Sequence, residues 1–106
     1  MKPAIEELAS FVEANEPQII AYNVYLSDDG ARMNVIHLHR DSASLEYHMD
    51  VAAPAFQRFV DLVTMLSIQV YGDPSEKVLT QLRGKAQLLG SESVVVHAHH
   101  AGFNRF

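Results

Sequence analysis

Residues 19–39 read IIAYNVYLSDDGARMNVIHLH, and this stretch decides the fold. Residues 19–26 alternate, with Ile20, Tyr22, Val24 and Leu26 on one face, as a half-buried strand does. Ser27-Asp28-Asp29-Gly30 is a tight-turn signal, because Asp and Gly accept the backbone angles a hairpin connection needs. Residues 33–39 then return as a second strand. Met33, Val35, His37 and His39 share one of its faces, and Asn34, Ile36 and Leu38 share the other. Both faces of the first strand carry apolar side chains, since Ile19 and Ala21 oppose Ile20 and Tyr22. Such a hairpin needs cover on both sides.

The flanking segments supply helices. Upstream, Ile5, Leu8, Phe11 and Val12 recur at helical spacing, predicting an amphipathic helix over residues 3–14 that Asn15-Glu16-Pro17 ends. Downstream, Leu45, Met49, Ala52, Phe56, Phe59, Val60 and Val63 form a longer stripe. Asp41 or Ser42 suits its cap, and Pro54 predicts a kink or two abutting helices. Residues 66–71 (LSIQVY) read as a short strand. In Gly72-Asp73-Pro74-Ser75-Glu76 we place an N-cap at Asp73 and a first helical turn at Pro74. That helix carries Val78, Leu82, Ala86 and Leu89 inward and stops at Gly90. Val94 opens a last strand that runs to His99 or beyond.

The order helix, strand, strand, helix, strand, helix, strand predicts an α+β fold, an antiparallel sheet with helices on one face. The uncovered apolar face then predicts a homodimer through the sheet face. The alternative is a monomer with an apolar ligand pocket on that face.

Composition narrows the classes. The 106 residues fit one domain. The formal charge of −5, with scattered Lys and Arg, argues against nucleic acid. No apolar run approaches the roughly 18 residues of a membrane span. There is no cysteine, so no disulfide framework and no thiolate site forms. Met1-Lys2-Pro3 leads straight into a polar helix pattern, so no signal peptide is expected, and a cytoplasmic location is. No Gly-rich phosphate loop or G-x-S-x-G elbow occurs, which weakens nucleotide-binding and hydrolase readings.

Five segments carry a family resemblance: FVEANEP (residues 11–17), the hairpin (21–39), HMDVAAPAFQRFVDL (48–62), VYGDPSEKVLTQLRGKAQLLG (70–90) and HAGFNRF (100–106). With these the chain resembles the antibiotic biosynthesis monooxygenase-like family of dimeric α+β barrels, in its poorly characterised branch. The resemblance implies one ferredoxin-like dimeric α/β barrel domain over residues 1–106, with an apolar cavity between sheet and helices. Characterised relatives of this kind oxidise aromatic, quinol-like compounds there with no metal or flavin cofactor; others bind or degrade haem, or have no demonstrated activity. The family usually begins with a strand, whereas this chain starts inside the helix at Met1. The last strand, or a partner's strand, is expected to fill the slot so left.

Six histidines are present and grouped. His37 and His39 form one H-x-H pair and His97 and His99 another, each on one face of its strand. Four imidazoles could meet at a transition metal, with Asp41 or Glu46 as carboxylate. The plainer reading is strand-end histidines near a rim, which at an interface would make the assembly acid-sensitive.

His48 lies on or beside the buried helix stripe. Functionally it is a general base or hydrogen-bond donor facing the cavity; structurally it is a core histidine bonded to a strand carbonyl or Tyr. Asn23 is a second catalytic candidate, an amide able to orient a carbonyl or oxygen species, or else an interface or core Asn. Tyr22, Tyr25, Met49, Phe56 and Phe59 are pocket candidates for a small aromatic ligand, although such a stripe also serves simply as core. Three functions follow: a cofactor-independent monooxygenase, a non-catalytic ligand-binding or stress-related dimer, and a His-based metal or haem protein.

Overall fold

In the computed structural model, which describes residues 2–91 and 93–106, the hairpin forms as the alternation predicts. Strands β1 (Ile19–Leu26) and β2 (Met33–His39) pair antiparallel. The turn is held by its own short side chains. The Ala31 N–H and the Ser27 hydroxyl both donate to Asp29 Oδ1, at 2.9 and 2.7 Å. Gly30 takes φ +73°, where a Cβ would be strained.

One detail departs from plain alternation. Ile19 pairs with His39 and Ala21 with Leu38, so Ile20 is an extra residue in the ladder. This bulge shifts the phase of everything before it. Ile19 joins Tyr22, Val24 and Leu26 on the inner face, and Ile20, expected there, is exposed. Opposite them His39, His37, Val35 and Met33 are half-buried, as the alternation predicts. The outer face holds Ala21, Asn23, Tyr25, Asn34, Ile36 and Leu38.

Helix α1 (Lys2–Asn15) turns Ala4 and Val12 inward. Phe11, expected in its stripe, lies exposed. Helix α2 (Ser42–Phe56) starts where Asp41 accepts the Ser44 N–H at 2.9 Å. It buries Ser44, His48, Met49, Ala52 and Phe56. Pro54 sits in its last turn and cannot donate to the carbonyl four residues back. The chain accordingly tightens into a 3₁₀ turn (Gln57–Phe59) that buries Phe59 and leaves Val60 exposed.

Strands β3 (Ile68–Tyr71) and β4 (Val94–His97) flank helix α3 (Glu76–Leu88). They pair in parallel, beside the antiparallel hairpin expected from the sequence. A strand–helix–strand connection is long enough to return the chain in the same direction. The last strand takes β3 as its neighbour. Among the described residues the ladders are two two-stranded sheets, not a closed barrel.

The cap of α3 is Ser75, whose Oγ accepts the Val78 N–H at 3.1 Å; Asp73, placed there from sequence, stays outside. Val78, Leu82, Ala86 and Leu89 are buried as predicted. Gly90, at φ +93°, ends the helix while the Ser91 N–H reaches back to the Ala86 carbonyl.

The chain divides into two compact units, Met1–Val63 and Thr64–Phe106. Met1, where the sequence places the chain start inside the first helix, lies outside the described residues. Among the described residues no helix is long and apolar enough to cross a membrane.

Candidate functional site

The candidate site lies in the first unit, where the inner face of the hairpin meets α2 and the junction of α1 with β1. His48 is 1% exposed and Glu16 is 3% exposed. His48 Nδ1 stands 2.7 and 3.0 Å from the two carboxylate oxygens of Glu16.

Local structure explains why Glu16 points inward. Its N–H donates to the Val12 carbonyl at 2.9 Å, and its own carbonyl accepts the Ile19 N–H at 3.2 Å. Its backbone is thereby held on both sides. Tyr47 Oη also donates to the Asn15 carbonyl at 3.3 Å, so α2 grips this junction at adjacent residues. Burial pushes the Glu16 carboxyl above its ordinary range.

Further rings close around His48. Its centroid is 4.8 Å from His37, 5.7 Å from His39, 6.0 Å from Tyr22 and 5.9 Å from Phe56. Tyr22 meets His37 edge-on at 4.6 Å. Burial first, and the Glu16 charge second, push the Tyr22 hydroxyl up to about 12. His39 Nδ1 is 2.9 Å from Ser44 Oγ, and its Nε2 is buried without a hydrogen-bond partner. Burial lowers the His39 pKa more than the nearby Asp41 charge raises it.

A cleft of about 380 Å³ opens between α1 and β1. Ser10, Val12, Glu16, Pro17, Ile19 and Tyr22 are among the residues lining it. It therefore touches the carboxylate end of the His48–Glu16 pair. A smaller groove of about 200 Å³ lies between Leu8 and Phe11 of α1 and Phe59, beside the exposed Glu7–Arg58 ion pair at 2.6 Å.

The predicted site residues sort by side of the hairpin. His48, Tyr22, His37 and His39 gather on the inner side, and Phe56 joins them. Met49 and Phe59 are buried in the same unit, Phe59 bordering the smaller groove. Asn23 and Tyr25 are not brought to His48. They are exposed on the outer face, because alternation sends them away from Tyr22.

His97 and His99 belong to the other unit and are exposed. His97 stacks on Tyr71 at 4.8 Å and reaches Gln69 at 2.7 Å. Among the described residues, no three of the His, Asp and Glu side chains are grouped to hold a metal ion.

Glu16 and Ser44 escaped the sequence reading. A carboxylate at a helix C-terminus is opposed by the helix dipole, so Glu16 was a signal that some partner holds it there. Ser44 carried no such signal. No protein-family model, curated protein or solved structure matches this chain.

Proposed function

We propose that the chain is a cofactor-independent, monooxygenase-like enzyme for a small phenolic or quinol-like compound, with His48 and Glu16 as its acid–base pair. The buried contact between them, 2.7 Å long, carries this reading. The imidazole holds the carboxylate in place, and the carboxylate, which borders the cleft, takes the ligand's proton. The cleft brings Tyr22 and Glu16 to the same wall, so a ligand hydroxyl there meets the pair through its carboxylate. Proton removal yields an electron-rich phenolate. That anion reduces dioxygen: one oxygen atom replaces a ring hydrogen as a carbonyl, the other leaves as water, and the substrate supplies the electrons.

A second reading, a ligand-binding protein without chemistry, is favoured by the near-complete burial of His48. Oxygen uptake with a panel of naphthols and quinols separates the two. Turnover by the wild type that falls roughly 100-fold or more in folded His48→Gln supports the enzyme. Binding without oxygen uptake selects the second reading, and unaltered turnover in His48→Gln overturns the role given to the pair.

The same proposal includes a homodimer through the outer face of the hairpin. Tyr25 and Ile36 are 55% and 56% exposed there, Ile20 and Leu38 also reach solvent, and that face bears no charge. Sedimentation equilibrium should give about twice the 11.8 kDa chain mass, and the double substitution Tyr25→Lys, Ile36→Lys should give the single-chain mass. A wild type that sediments as one chain at every concentration would falsify the dimer.

A further inference from the structure

Three imidazoles crowd together beneath the hairpin: His37 and His39 from β2 and His48 from α2. Their centroids lie 4.8, 5.6 and 5.7 Å apart. Several groups of the first unit face them, and His37 and His48 hold further interactions besides these. Glu16, at the α1–β1 junction, meets His48. Asp41, the α2 cap, acts on His39 through its charge, but it is exposed and screened by water. Tyr22 of β1 stays neutral across the physiological range. Ser44 and Phe56 of α2 bring a hydroxyl and an apolar ring. Neutral imidazoles pack well at these separations. Imidazolium ions at the same separations repel one another in a poorly solvated place.

We propose that this cluster is an acid-operated switch. With the His37 and His39 rings neutral, the hairpin rests on α2 and on the α1–β1 junction; their protonation drives the hairpin away and opens the first unit.

The sign follows from linkage. His39 binds its proton less readily in the closed form than in an open chain, where histidine titrates near 6.5. Below about pH 6.5 the open form therefore holds more protons, and the closed form loses stability as pH falls. Glu16 acts in the opposite direction, since its raised carboxyl keeps a proton longer in the closed form. Against that single carboxyl stands the mutual repulsion of three rings whose centroids lie within 5.7 Å of one another once they carry charge.

The test is thermal unfolding of the full chain from about pH 8 to about pH 5, followed by the near-UV circular dichroism of its tyrosines. The wild-type midpoint should fall progressively below about pH 6.5, with the tyrosine signal lost in the same transition. In the double variant His37→Gln, His39→Gln the decline should shrink to less than half. His97→Gln, His99→Gln, outside the cluster, should decline as the wild type does. A wild-type midpoint that stays level to pH 5, or an undiminished decline in the cluster variant, overturns the switch. If the cluster variant does not fold, imidazole proton resonances of the wild type decide. His37 and His39 should titrate together with loss of cross-strand contacts in the hairpin; titration with the hairpin intact overturns the proposal.

Discussion

His48→Ala is expected to destabilise the first unit by about 3 kcal/mol, read as a lower urea midpoint at neutral pH. The size follows from burial on both sides of the contact, at 1% and 3% exposure. An exposed ion pair such as Glu7–Arg58 contributes only about 0.5 kcal/mol, because water replaces either partner. Water does not replace the imidazole beside Glu16. The substitution leaves a buried carboxylate to be desolvated without its imidazole, and it removes a ring that touches Tyr22, His37 and Phe56. Glu16→Ala should cost a comparable amount. The double variant should cost less than the sum of the two, since the second substitution removes the group the first left stranded. Single-variant losses below about 1 kcal/mol would mean that the pair is not sealed from water as its exposure implies.

Phe56→Ala should cost about 3–4 kcal/mol in the same measurement. Phe56 ends α2, is 6% exposed, and packs on His48 at the point where the chain tightens into its 3₁₀ turn. Removing the ring deletes its transfer free energy and leaves a cavity whose walls are held by the turn and by the histidine cluster. Phe56→Leu refills most of that volume and should recover more than half of the loss. Phe11→Ala serves as the comparison. Phe11 was expected in the same kind of stripe, yet it is 39% exposed and should cost under about 1 kcal/mol. Equal losses at the two positions would contradict the burial difference between them.

The two phenylalanines show how far the sequence could be read. Helical spacing marked both as apolar positions, but spacing does not say which edge of a stripe meets a neighbour. Similarly, alternation correctly put His37 and His39 on one face of β2. It misassigned Ile20, because a bulge is a one-residue decision taken by the ladder and leaves no periodic trace. The cap of α3 moved from Asp73 to Ser75 for a related reason: both residues cap well, and the register of Val78, Leu82 and Ala86 chose between them.

The candidate site was half legible. His48 stood out as a polar residue on a buried stripe, and it is buried. Its partner lies 32 positions away, at a helix end read only as a terminator. Asn23 stood out as an amide among apolar groups, and it faces outward with Tyr25. A pattern along the chain ranks residues by chemistry, whereas a site depends on which elements converge.

The hairpin at residues 19–39 is where the division is sharpest. By itself the sequence determined the two strands, their turn at Asp29 and Gly30, and the inward face of β2, because alternation and turn chemistry are local. The order of the helices and the α+β class follow from the same local signals. Only the tertiary structure decided that β3 and β4 pair in parallel, that Ile20 bulges, and that Glu16 closes on His48 beneath the histidines. Those outcomes depend on contacts between segments distant along the chain, whose free energies no local window contains.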